Sequence, residues 1–148
     1  MAVSYSTGFS TGLQGTTGLK GTGMFNAFFL DIYSRAQPIN ADQAPSGTLL
    51  ATISAGGTGT ACTFGTPAAG IVLKNPSETW KGPGLANGTP GWLRVRRAGD
   101  LGTTNTTDIR VDMNIASIGG DIRLGNPTVV TGQDVDINTF GFNWTASG

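Results

Sequence analysis

The chain has 148 residues, with nine Lys and Arg against nine Asp and Glu, and so a formal net charge of zero. It contains no histidine, one cysteine (Cys62), one glutamate (Glu78) and 24 glycines. Zero charge leaves no basic face to displace counterions from nucleic acid. A lone cysteine allows no internal disulfide, and the lack of histidine removes the commonest acid–base group of neutral-pH catalysis.

Residues 1–23 form a block of their own, with glycines at 8, 12, 15, 18, 21 and 23. Glycine at this density opposes a stable helix. The block therefore reads as an extended N-terminal arm, and residues 24–148 as the folded domain. Tyr5, Phe9, Leu13 and Leu19 are spaced along the arm as apolar groups for a partner surface; the other reading folds the arm back over its own domain.

Phe25–Ser34 is the first predicted strand, with Phe28, Leu30 and Ile32 on one face and Phe29, Asp31 and Tyr33 on the other. Residues 35–47 are turn-rich through Pro38, Asp42, Pro45 and Gly47. Thr48–Ser54 is a second strand, and Ala61–Gly65 and Ile71–Lys74 are shorter ones. Cys62 lies among small residues and reads as a buried structural thiol. Asn75–Pro90 reads as a long connection that Trp80 and Leu85 anchor to the core.

The second half alternates most clearly. Gly91–Ala98 sets Leu93 and Val95 against Trp92, Arg94 and Arg96. Asp108–Ala116 sets Ile109, Val111, Met113 and Ile115 against Arg110, Asp112 and Asn114. Such period-2 alternation marks strands with one apolar and one polar face. The arginines and aspartates then belong to solvated faces, as a surface charge ladder. Gly119-Gly120 turns the chain, and Asp121–Leu124 and Pro127–Thr131 continue it. Val135, Ile137, Phe140, Phe142 and Trp144 form a final strand, with a slip near Asn138-Thr139, expected to run through the centre of a sheet.

Eight or nine short strands with turn signals every eight to twelve residues predict an all-β fold, an antiparallel β-sandwich of jelly-roll or Ig-like kind. The longest apolar run, near Phe28–Leu30, is too short to span a membrane. Met1–Ser10 has neither the basic start nor the apolar core of a secretory leader. No catalytic, cofactor or metal motif is present. Asp134-x-Asp136 supplies too few oxygens for Ca²⁺. Glu78 beside Trp80 has the composition of a sugar site, which makes Trp80 and Trp92 the candidate glycan or surface contacts.

An ordered set of short segments spans nearly the whole chain. It runs from Ser6-Thr7-Gly8 through Leu30–Ser34, Ala36–Pro38, Ala41–Ile53, Glu78–Trp80 and Gly88–Val95. It continues through Gly119–Leu124 and Val130–Val135 to Thr139–Phe142. In this order the chain resembles a family of small β-rich virion proteins of tailed bacteriophages. It departs from them in its glycine-rich N-terminal block, where a more helix-like stretch is the family's pattern.

The resemblance implies a non-enzymatic structural protein of the virion, made in the host cytoplasm. Within that class the sequence is read as a head decoration (cement) protein on the outer surface of the capsid. Its partners would be the major capsid protein and itself, as a trimer that follows the local symmetry of a shell. Nucleic acid and membrane are not expected partners. The alternatives are a tail or head–tail component (tube, adaptor or fibre-associated) and a glycan-binding β-sandwich module on the virion surface.

Overall fold

The computed structural model describes residues 3–9, 27–66, 68, 71–116, 122 and 124–143. Leu13, Leu19, Phe25, Trp144 and the Gly119-Gly120 turn lie outside them. The described chain is all-β and antiparallel, as the alternation predicts, with nine strands and one helical turn at residues 7–9. The strands are β1 (Ser4–Tyr5), β2 (Phe28–Ser34), β3 (Leu49–Ala55), β4 (Ile71–Leu73) and β5 (Trp80–Pro83). They continue as β6 (Pro90–Arg97), β7 (Arg110–Asn114), β8 (Asp134–Ile137) and β9 (Gly141–Asn143). Seven of them form one sheet in the order β1-β7-β6-β2-β3-β5-β8, and β4 and β9 pair as a two-stranded ribbon.

The apolar core lies between one face of the large sheet and the ribbon. Phe28, Leu30, Ile32, Ile53, Leu93, Val95 and Val111 supply the sheet side. Cys62 bridges Phe28 of β2, and Phe64 bridges Lys74 just past β4, so residues 62–64 cross from one layer to the other. Phe64 stacks on Phe28 with ring centroids 4.5 Å apart and meets Phe142 of β9 edge-on at 5.7 Å. Burial pushes the Cys62 thiol up to about 12, with Glu78 adding to the shift, so it is a packing group without thiolate character.

Several expectations about elements change, and Ala61–Gly65 and Pro127–Thr131 make only isolated bridges rather than strands. The final strand is not central: β8 is the outer strand of the large sheet and β9 belongs to the ribbon. The slip near Asn138-Thr139 is the break between them, and it sends Phe140 and Phe142 toward Phe64 and Trp80. The Asn75–Pro90 connection contains a strand, β5, whose short polar sequence around Gly82 hides its alternation. Leu85, expected to anchor this stretch, is exposed; Trp80 is the anchor.

The outer edge at β8 is short and carries the exposed Asp134 and Asp136, one of them paired with Lys81 at 2.9 Å. Charge on an edge strand blocks further strand pairing there. Among the described residues no helix is long and apolar enough to cross a membrane.

Candidate functional site

Across β1, β7, β6, β2 and β3 the second face of the large sheet is polar but largely covered from solvent. Register places Ser4, Asp112, Arg94, Asp31 and Thr52 in one row across β1, β7, β6, β2 and β3. Arg94 donates to both Asp112 oxygens at 2.7 Å, with both side chains almost fully buried. In the next row Arg96 and Arg110 face each other, an arrangement that repels unless each finds its own anion. Arg96 turns to Asp31 at 2.5 Å and lies over the Phe29 ring. Arg110 donates to both oxygens of Asp100 at 2.6 Å and to Asp108 at 2.9 Å. A third row stacks Tyr33 on Trp92 at 4.6 Å. Burial and the Asp31 carboxylate push the Tyr33 hydroxyl up to about 12.

This corrects the solvated charge ladder. Two loops, residues 35–48 and 98–109, fold across the face and hang from its cations. Arg94 donates to the Gln43 carbonyl, Arg110 to the Ala41, Asp42 and Thr103 carbonyls, and Trp92 Nε1 to the Ser46 carbonyl. The loops also bond each other, through the Asn105 amide to the Asp42 carbonyl and the Ala44 amide to Thr104 Oγ1. Alternation reads the same whether a polar face meets water or a loop. The signal that distinguishes them is matched: three arginines and two aspartates at interior register positions, flanked by two long turn-rich connections.

The start of the expected arm belongs to this same end of the molecule. β1 pairs with β7, Ser6 and Thr7 bond the loops, and Phe9 is 1 % exposed within the core. Residues 3–9 are therefore not an extended arm but a strap on their own domain, because β7 offers a free sheet edge and Phe9 finds an apolar slot. Tyr5 and Phe9 are brought together, with rings stacked at 4.8 Å; Leu13 and Leu19 lie outside the described residues.

Trp80 and Trp92 are not brought together. Trp80 sits in the apolar core and Trp92 in the polar layer, at 1 % and 0 % exposure. Neither presents a ring to a glycan, because each indole is covered and its N–H is already used, by Glu78 at 2.8 Å and by Ser46 at 3.1 Å.

Glu78 is a clasp. Its carboxylate accepts from the Thr63 amide and hydroxyl and from Trp80 Nε1, while Lys74 Nζ donates to the Glu78 carbonyl. Burial opposes its ionisation, and the Thr63 and Trp80 bonds outweigh that, holding the carboxyl below its ordinary range. Asp100 behaves alike: burial raises it, and the Arg110 and Gly102 donors bring it below the usual aspartate range. Groups with lowered folded values stabilise the fold above their unfolded values, and that contribution is lost as pH falls through the folded ones. Stability should accordingly drop below about pH 4, near the reference carboxylate values. Glu78→Gln should remove part of that acid dependence and cost about 1–3 kcal/mol at neutral pH through the misfit donor. Urea unfolding at neutral and acid pH measures both; an unchanged pH profile in the variant would sink the clasp.

Among the described residues no group of three His, Cys, Asp or Glu is placed to hold a metal ion. No family model, curated protein or solved structure matches the chain.

Proposed function

We propose that the chain is a non-enzymatic structural protein of a tailed bacteriophage particle, acting as a decoration protein on the outside of the capsid lattice. The observation that carries this reading is the buried ionic layer and what it fixes. Buried ion pairs add little net stability, since desolvation cancels much of their attraction. What this layer does is hold two long surface loops in one conformation. Those loops carry the two most exposed large aliphatic side chains among the described residues, Ile39 and Leu101, at 81 % and 86 % exposure.

The loops' aspartates are all engaged: Asp42 by Thr7, Asp100 and Asp108 by Arg110. The outward surface is then rich in Thr, Asn, Ala and Pro with apolar tips, and it carries one exposed cation, Arg35. Preorganised loops bind without the ordering cost of mobile ones. Low charge lets copies pack side by side with little repulsion. The resemblance of the ordered segments to those of small phage virion proteins supports the class, and the lattice of the major capsid protein is the proposed partner. Self-association in threes would match the symmetry of such a lattice.

Co-sedimentation with purified tail-less, undecorated phage heads tests the reading. Saturable binding to heads at high copy number is the expected result. Absence from heads, with a few copies on tailed particles, would replace it with the tail or head–tail role.

A further inference from the structure

The strap at residues 6–9 occupies a socket that reads each of its four positions. Ser6 Oγ donates to the Asp108 carbonyl at 2.7 Å and accepts from the amides of Phe9 and Arg110, both at 3.0 Å. Thr7 donates its amide and its hydroxyl to the two oxygens of Asp42, at 2.7 and 2.6 Å. Gly8 leaves no room for a side chain, since a Cβ there would lie 2.5 Å from the Thr107 carbonyl oxygen and 2.6 Å from that of Asp108. The Phe9 ring is buried and stacks on Tyr5. The socket is thus shaped for a hydroxyl residue, then threonine, then glycine, then an apolar residue.

The sequence offers that pattern three times. Ser6-Thr7-Gly8-Phe9 is followed by Ser10-Thr11-Gly12-Leu13 and Thr16-Thr17-Gly18-Leu19, and the pattern occurs nowhere else in the chain. The second copy is even preceded by an aromatic residue, Phe9, as the first is by Tyr5. One chain therefore carries one socket and three segments that fit its chemistry.

We propose that the socket of one copy also accepts the Ser10–Leu13 or Thr16–Leu19 tetrapeptide of a second copy, so that the N-terminal segment is a homotypic connector. The incoming tetrapeptide takes the place of the host's own Ser6–Phe9. Its hydroxyl bonds Asp108 and the Arg110 amide, its threonine bonds Asp42, and its glycine passes the Thr107 carbonyl. Asp42 and the backbone of Arg110 are already set in place by the ionic layer, so release of the host's own Ser6–Phe9 is the one rearrangement the exchange requires. A donor segment on one copy and an acceptor socket on the next make a head-to-tail contact, which closes into a ring of a few copies when the rotation allows. Leucine in place of phenylalanine makes the second-copy contact weaker than the chain's own. The tethered tetrapeptide also competes at an effective concentration on the order of millimolar. Association is therefore expected only in concentrated solution or on a crowded surface, and it does not depend on the capsid reading.

The test is sedimentation velocity of the full chain from about 10 μM to the order of 1 mM, the range set by that effective concentration. Three proteins are compared: the unaltered chain, Gly12→Val/Gly18→Val, and Asp42→Ala. The double glycine variant leaves the docked Ser6–Phe9 and the socket unaltered, so it keeps the test valid even if Asp42→Ala loosens the fold. The unaltered chain is expected to associate with rising concentration. The double variant should shift the midpoint at least tenfold upward, whereas Asp42→Ala removes the same carboxylate from the docked Thr7 and from the incoming threonine and should leave the midpoint close to that of the unaltered chain. A monomer throughout the range overturns the proposal, as does association that the double variant leaves unchanged.

Discussion

Asp112→Ala is expected to cost about 3–5 kcal/mol, the usual penalty for removing one partner of a buried ion pair. Arg94 loses both of its 2.7 Å contacts and keeps only the Gln43 carbonyl and the face of Trp92, 5.2 Å away. Its guanidinium is then a buried charge without an anion, because Asp31 is engaged by Arg96 and Thr52. Burial raises the Asp112 carboxyl above its ordinary range, and the Arg94 contacts offset only part of that, so the pair is held together by geometry against desolvation. The double variant Arg94→Met/Asp112→Leu should cost much less than the sum of the two single changes, since an apolar pair leaves nothing charged behind. Urea unfolding of the two single variants and the double measures the coupling. Additive losses would mean that the two side chains act independently and that the row across the sheet is not one unit.

The same row shows what the sequence could and could not tell. The apolar rows were legible, because Leu30, Val95 and Val111 recur at period two and register brings them together with Ile53 and Tyr5. The strand content and antiparallel character followed from that period and from the turn residues between. The polar rows carry the same period, and by that period alone they read as wet. Their burial depends on loops 35–48 and 98–109 returning over them, a long-range event that no local pattern encodes. β5 is hidden for the opposite reason: Trp80, Lys81, Gly82 and Pro83 have too few apolar groups to show alternation, and their strand is set by pairing with β3 and β8. The strap was half legible. Phe9 reads as an apolar anchor, but it is buried in its own domain, and the strap that carries it is bonded through Ser6 to Arg110, 104 positions away.

Trp80→Ala is expected to cost about 3–5 kcal/mol, the range for deleting a large aromatic side chain from a core. The indole is the hub between the two layers. Its ring lies 5.3 Å from Phe28 of β2, 5.6 Å from Phe64 and 5.9 Å from Phe140, and its N–H completes the Glu78 clasp. A domain has only about 5–15 kcal/mol in total, so this loss leaves a marginal fold. Trp80→Phe separates the two roles: it keeps a ring in the core and drops the N–H, at an expected cost of about 1–3 kcal/mol for the carboxylate left short of a donor. The loss should be felt unevenly. The β4–β9 ribbon joins the large sheet chiefly through Phe64, Phe140 and Phe142, all of which lean on Trp80 or its ring neighbours. Hydrogen exchange should therefore accelerate at the Val72 and Phe142 amides before it does in β2 and β6. A surface tryptophan kept for ligand contact would behave otherwise, with stability changed by less than about 0.5 kcal/mol on truncation. Measured unfolding free energies near that small value would return Trp80 to the surface and detach the ribbon from its hub.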